Sequence, residues 1–187
     1  MLLSGFNHVA TLTNDSDRLH AFYREVFGSE VVRDGAEFAD KPGPRMSVIK
    51  IGPGAELNVF QIDGNTEADR QTPMFGRGRI DHLALQASSL ESFEELRARL
   101  MDRGAADDFV TDFGPILSVF FRDPDGLECE LVVPNPDAVP GTGNPPGTRA
   151  ARYPAGCRPI DSTESVRARL GQHQADHGGA AARRKSP

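Results

Sequence analysis

One pattern occurs twice in this chain, offset by about 75 residues. A sequence of that kind is better read as two copies of one small unit than as a single irregular domain. The first copy opens with an apolar, strand-like run at 6–12 (FNHVATL), followed by the turn residues Asn14, Asp15 and Ser16. Leu19, Phe22, Tyr23, Val26 and Phe27 then recur at helical spacing and draw one apolar stripe. Gly28 stops the helix, since glycine takes up the left-handed conformation there without penalty. The second copy restarts at 80–86 (IDHLALQ), with Ser88 and Glu91 spaced as a capping box. Leu90, Phe93, Leu96 and Leu100 repeat the stripe, and Gly104 closes it. His8 and His82 hold the same place in the two copies.

Each helix leads into three short strand candidates. In the first copy these are Val31-Val32, 46–51 (MSVIKI) and 56–62 (ELNVFQI), broken by Pro42–Pro44 and Gly52–Gly54. In the second they are Phe109-Val110, 117–122 (LSVFFR) and 127–133 (LECELVV). Asp123-Pro124-Asp125-Gly126 between the last two is a tight-turn signal. The expected fold is therefore α+β. Two tandem βαβββ modules, about 5–63 and 79–134, build a domain over 1–134. Each helix covers one face of a four-stranded sheet and leaves the other face free. From Pro134 the character changes, with seven prolines in 134–160 and several glycines. Residues 135–187 read as a largely irregular tail. One short helix is expected at 162–170, where Ser162 or Thr163 would cap a segment containing Val166 and Leu170.

Composition excludes several classes of function. A formal charge of -6 and a pI near 5.4 argue against a nucleic-acid binder. Such a protein needs a basic face to displace counterions from phosphates, and the one dense basic run is Arg183-Arg184-Lys185. No apolar stretch approaches the roughly 20 residues needed to cross a membrane, and MLLSGFNHVA lacks the charged start and long apolar segment of a signal peptide. Two cysteines, Cys129 in a strand-like run and Cys157 in the tail, do not make a disulfide framework. A cytoplasmic protein is the expectation.

Several segments, in order and at matching spacing, carry a family resemblance. They are Asn7-His8-Val9-Ala10 with Ala21-Phe22-Tyr23, then Val26-Phe27-Gly28, Asp81-His82-Leu83-Ala84-Leu85, and Phe121-Arg122-Asp123-Pro124-Asp125-Gly126 leading to Glu130-Leu131. Spread over about 130 residues, they resemble the vicinal oxygen chelate superfamily, which includes glyoxalase I, extradiol dioxygenases, methylmalonyl-CoA epimerase and bleomycin- or fosfomycin-resistance proteins. The resemblance implies sheets curled around a central cavity, with metal ligands projecting from the first and last strand of each module. On this sequence those positions are His8, Asn58, His82 and Glu130. It also implies a small-molecule substrate, and a homodimer is among the assemblies it brings with it.

Two imidazoles and one carboxylate suit one divalent first-row metal ion (Fe, Mn, Ni or Zn) and leave coordination positions open. Strand alternation puts Glu128, Glu130 and Val132 on one face, opposite Cys129, Leu131 and Val133. Glu56, Asn58 and Phe60 likewise share a face. Asn58 offers only a neutral amide oxygen where the family often has glutamate or glutamine. Proton transfer would then fall to Glu130 or to Glu56, one pleat repeat from Asn58. Relative to a glyoxalase, this favours an extradiol-type dioxygenase. The segment 111–121 (TDFGPILSVFF) has no histidine or tyrosine for such chemistry, however, so a glyoxalase- or epimerase-like lyase or isomerase stays open. A metal-free drug-sequestering protein of the bleomycin-resistance type is the third reading.

The remaining candidates have plainer explanations. His20 reads as a half-exposed helix residue, and His173 and His177 as chance spacing in the tail. Asp123 and Asp125 read as structural turn residues, and Arg122 as a surface salt-bridge partner. Phe60, Phe120 and Met74-Phe75 are candidates to line or cover the cavity.

Overall fold

The computed structural model describes residues 2–3, 5–36, 43–69, 76, 78–106 and 109–143. The expected helix at 162–170, His173, His177, Cys157 and Met74-Phe75 lie outside the described residues. The first module runs β1 (His8–Thr13), α1 (Ser16–Phe27), β2 (Val31–Ala36), β3 (Arg45–Gly52) and β4 (Ala55–Gln61). A short 3-10 turn, Glu67–Asp69, follows. The second runs β5 (Leu83–Gln86), α2 (Leu90–Asp102), β6 (Thr111–Asp112), β7 (Ile116–Arg122) and β8 (Glu128–Pro134).

The helices start and stop where their side chains dictate. Asp15, in extended conformation, accepts the backbone N–H of Arg18 and caps α1, and Gly28 ends it at φ 67°. The cap of α2 is Ser89, which accepts the N–H of Ser92 at 3.1 Å, so the expected capping box at Ser88 and Glu91 is displaced by one residue. Ser88 instead shares a hydroxyl contact with Ser92. The second module's first strand after α2 lies at Thr111–Asp112, just past the expected Phe109-Val110.

The duplication is plain in the pairing. The sheets have the orders β1-β4-β3-β2 and β5-β8-β7-β6, with the first and last strands of each module parallel and the others antiparallel. The two sheets are not closed on one another. Leu19, Tyr23 and Val26 of α1, Phe93 and Leu100 of α2, and the sheet residues Ile49, Leu57, Val59, Val119, Phe121 and Leu131 form one buried cluster. Phe22 of α1 stacks against Phe121 of β7 at 6.5 Å, and the Arg99 guanidinium of α2 donates to the Val26 carbonyl that ends α1. The modules thus pack through their helix-bearing faces, and the opposite faces of both sheets point away from that core. Each large side chain in it stabilises by roughly 1.5–3 kcal/mol through burial alone.

The Asp123–Gly126 turn ties the second module to the first. Asp125 accepts the Thr13 hydroxyl at 2.5 Å, the Arg18 guanidinium at 2.7 Å and the Asn14 N–H at 3.3 Å. Asp123 accepts the N–H groups of Asp125 and Leu127 and so holds the turn itself. Burial pushes the Asp123 carboxyl up to about 6. Beyond β8, Asn135 donates to Asp112 and to the Gly114 carbonyl. A Cβ at Gly114, where φ is +93°, would meet the Thr142 carbonyl oxygen at 2.3 Å, so only glycine lets residues 135–143 lie there.

Candidate metal centre

The second module assembles a half-site on its open face. His82 immediately precedes β5, and its Nε2 stands 3.3 Å from Glu130 Oε2 on the neighbouring β8. Its Nδ1 stands 2.9 Å from Asp81 Oδ2. A carboxylate only accepts, so Nδ1 is the donor to Asp81, and Nε2 faces Glu130. The other Glu130 oxygen, Oε1, already accepts the Ser118 hydroxyl at 2.5 Å. Nε2 and Oε2 face each other at 3.3 Å, a spacing that a shared proton holds together and at which the two atoms are also placed to ligate one metal ion. Phe120 covers the ring edge-on at 5.5 Å, while Ser118 and Glu130 are buried.

The first module repeats the geometry with neutral groups. His8 Nδ1 lies 2.7 Å from the Asn7 side-chain oxygen, as His82 lies against Asp81. On β4, Glu56 sits in register with His8, and Asn58 with Ala10. In the other sheet Glu130 is in register with Ala84, so Asn58 and Glu130 are equivalent positions. Asn58 Oδ1 is buried with no hydrogen-bond partner. The position of Ser118 is taken here by Met46, which has no donor to offer. A buried amide oxygen left unsatisfied is costly unless something satisfies it. A cation would.

The structure brings together His82 and Glu130 in one module, and His8, Glu56 and Asn58 on one face of the other. It does not bring the two sets together within one chain. Among the described residues, one trio has ligand atoms within 4.8 Å of each other, Asp17, His20 and Asp34. Arg45 already serves that cluster, donating to Asp17 and through two nitrogens to Asp34 at 2.7 Å each, and it holds both carboxyls below the usual range. His20 is not half-exposed as its helix position suggested. It is buried where α1 crosses β3, with Nε2 2.7 Å from the Ser47 hydroxyl, and burial lowers its pKa.

Asp81, Asn7 and Ser118 were missed from the sequence. Asn7 and Asp81 precede the two histidines at equivalent places, which was a readable signal. Ser118 is one polar residue in an apolar strand. Arg122 makes the expected salt bridge, donating through Nε at 3.0 Å, but to the buried Glu128, on the same face as Glu130.

Comparison with known proteins bears on this geometry. Residues 5–131 match the family model described as glyoxalase/bleomycin resistance protein/dioxygenase superfamily. A 2-epi-5-epi-valiolone epimerase of Actinomyces sp is 28% identical over 67% of this chain and 77% of its own length. A lactoylglutathione lyase of Arabidopsis thaliana is 28% identical over 72% of this chain, which spans about half (46%) of that protein. Among solved structures, a glyoxalase family protein from Enterococcus faecalis is 28% identical with a TM-score of 0.55, covering 71% of this chain and 99% of the other. The fosfomycin resistance protein FosX of Listeria monocytogenes, solved as a variant with Mn(II) and a dihydroxypropylphosphonic acid, has the same fold at 18% identity and a TM-score of 0.52. It covers 70% of this chain and 92% of its own.

Proposed function

Because the chain belongs to the glyoxalase/bleomycin resistance protein/dioxygenase superfamily, we propose that it is a divalent-metal-dependent enzyme that moves a proton on a small oxygen-rich substrate, at a site completed by a second copy of the chain. The observation that carries this reading is the convergence of His82 Nε2 and Glu130 Oε2, with Asp81 and Ser118 holding each from behind. The residues fit a divalent ion: His82 and Glu130 from one copy, His8 and Asn58 from the other, two imidazoles, one carboxylate and one amide oxygen. Such an ion, when bound, polarises oxygens of the substrate as a Lewis acid.

The protein's own part is positioning and proton transfer. Phe120 beside His82 dries one wall of the site. Glu56, in register with His8 on the same face, is the group placed to take a proton from a bound substrate and return it. Glu130 is spoken for by Ser118 and His82, so the base falls to Glu56. That division of labour suits an epimerase or lyase, the activities named for two of the matching relatives. Extradiol dioxygenation, favoured by the sequence, draws support from the same two-histidine, one-carboxylate set. The drug-sequestering reading draws none from a shaped ligand pair.

Complementation between copies tests the assembly without knowledge of the substrate. His8→Ala and His82→Ala are each expected to lose tightly bound metal, measured by elemental analysis of chelator-free protein. Co-expressed, they form mixed dimers with one intact site, and half of one equivalent per chain returns in those dimers. Failure of the mixed dimers to recover metal would sink the shared site. Full metal in both single variants would sink the metal centre itself. The proton-transfer reading is tested separately, by Glu56→Gln. This variant is expected to keep its metal and to lose exchange of a substrate C–H with solvent deuterium.

A further inference from the structure

The two half-sites lie at sheet edges, and each edge carries a large apolar side chain in water. Among the described strands β1 pairs with β4 alone and β5 with β8 alone, so each keeps one unpaired side. Phe6, 67% exposed, stands two residues before His8, and Ile80, 77% exposed, stands two residues before His82. Neither belongs to the buried cluster. A single exposed apolar residue calls for no explanation. The same place exposed in both modules, beside both halves of an incomplete site, does.

On the other side of each histidine the alternate residue is small. Ala10 is level with Asn58 and Ala84 with Glu130, so both alanines lie on the open faces that carry the ligands. Both are exposed. In the first module the extended pairing runs back past His8, since the Glu56 N–H donates to the Asn7 carbonyl at 2.9 Å. Alternate residues of an extended chain share a face. Each edge therefore reads large, histidine, small: Phe6-His8-Ala10 and Ile80-His82-Ala84. Two such edges fit in one direction. Antiparallel, with His8 opposite His82, they seat Phe6 on Ala84 and Ile80 on Ala10. Parallel, they set Phe6 against Ile80 and leave two alanines facing a gap, which close packing disfavours.

Resting on the shared site argued above, we propose that two copies join by antiparallel pairing of β1 of one with β5 of the other. His8 stands opposite His82, and each large apolar side chain sits on an alanine of the other copy. A two-fold axis repeats the seam, so one dimer carries two. The seam brings the faces bearing His8 and Asn58 of one copy to those bearing His82 and Glu130 of the other.

Intermolecular disulfides test the register without substrate or metal. Opposite residues of an antiparallel pair have Cα atoms roughly 4.5–5.5 Å apart, inside the roughly 4.4–6.8 Å that a disulfide spans. The variants are made in a Cys157→Ser chain, whose remaining native cysteine, Cys129, is buried. Phe6→Cys with Ala84→Cys, and separately Ala10→Cys with Ile80→Cys, are expected to give covalent dimers on mild oxidation, read by non-reducing electrophoresis and peptide mass spectrometry. Phe6→Cys with Ile80→Cys should give none, because the register sets the two positions about 13 Å apart at roughly 3.3 Å per residue. Ile80→Glu, at a position exposed in the single chain, should raise the dimer dissociation constant at least a hundredfold by light scattering. A Phe6–Ile80 link, a dimer that neither expected pair links, or a dimer indifferent to Ile80→Glu overturns the seam and leaves the shared site to the metal complementation. A wild-type chain that stays monomeric at millimolar concentration overturns both.

Discussion

The two modules share a backbone plan and differ in where they keep charge. In the second, Asp81, Glu130 and the Ser118 hydroxyl surround His82. In the first, the equivalent positions around His8 hold Asn7, Asn58 and Met46. The same geometry is thus present once with anionic groups and once with neutral ones. A divalent ion bound between such halves would take its charge compensation from one side and its orientation from both. Duplication fixes placement, and substitution then divides the work.

The largest expected effect comes from neutralising the charged half. Glu130→Gln makes the second module resemble the first, and metal affinity, measured by competition with a chromogenic chelator, is expected to fall well beyond a hundredfold. Loss of an outer partner alone costs 10–100-fold in such sites, so affinity unchanged in this variant would remove Glu130 from the ligand set.

The turns give a second contrast: by strand register, Asp123 of the β7–β8 turn stands where the β3–β4 turn has Ile51. Burial raises the Asp123 carboxyl to about 6 in the folded chain, above its ordinary 3.8. The folded state therefore holds that proton more tightly than the unfolded one, and stability falls as pH rises from about 4 to about 6, then stays lower. The cost above that window is on the order of 3 kcal/mol. Asp123→Asn keeps an oxygen to accept from Asp125 and Leu127 and has no charge to bury. Urea unfolding at pH 4 and pH 8 should find the variant no more stable than wild type at the lower pH and more stable at the higher. The opposite ordering would contradict the raised value.

Smallest is the exchange of the residues behind the histidines. Asp81→Asn is expected to lower metal affinity about tenfold and Asn7→Asp to raise it by less than that, since a carboxylate strengthens the imidazole it orients. Equal and negligible effects in both would mean that these side chains only set the ring angle.

Much of the fold was legible because its signals are local. The stripes from Leu19 to Phe27 and from Leu90 to Leu100 are periodic over one helix, and the strand runs alternate over a few residues. His82 stood out because it holds the place of His8 in the repeat, whereas Glu130, whose equivalent is Asn58, came only from the family resemblance. Contacts set by packing between elements were not legible. Thr13 and Asp125 are more than a hundred positions apart, and nothing around Thr13 announces its partner. His20 looks like a helix-surface residue until β3 supplies Ser47 opposite it. The sequence placed His8 and His82 alike, and their likeness says nothing of whether they meet. The helices between the modules decide that.

Each histidine is carried by or next to the outermost strand of its sheet, β1 for His8 and β5 for His82. Such strands leave a row of backbone donors and acceptors available to another chain. A centre assembled by that route obeys mass action. Below the dissociation constant of the pair, the yield of complete sites per chain falls in proportion to total protein. Under the proposed shared site, dilution alone acts as an off-switch, and metal bound per chain is expected to fall between micromolar and nanomolar protein.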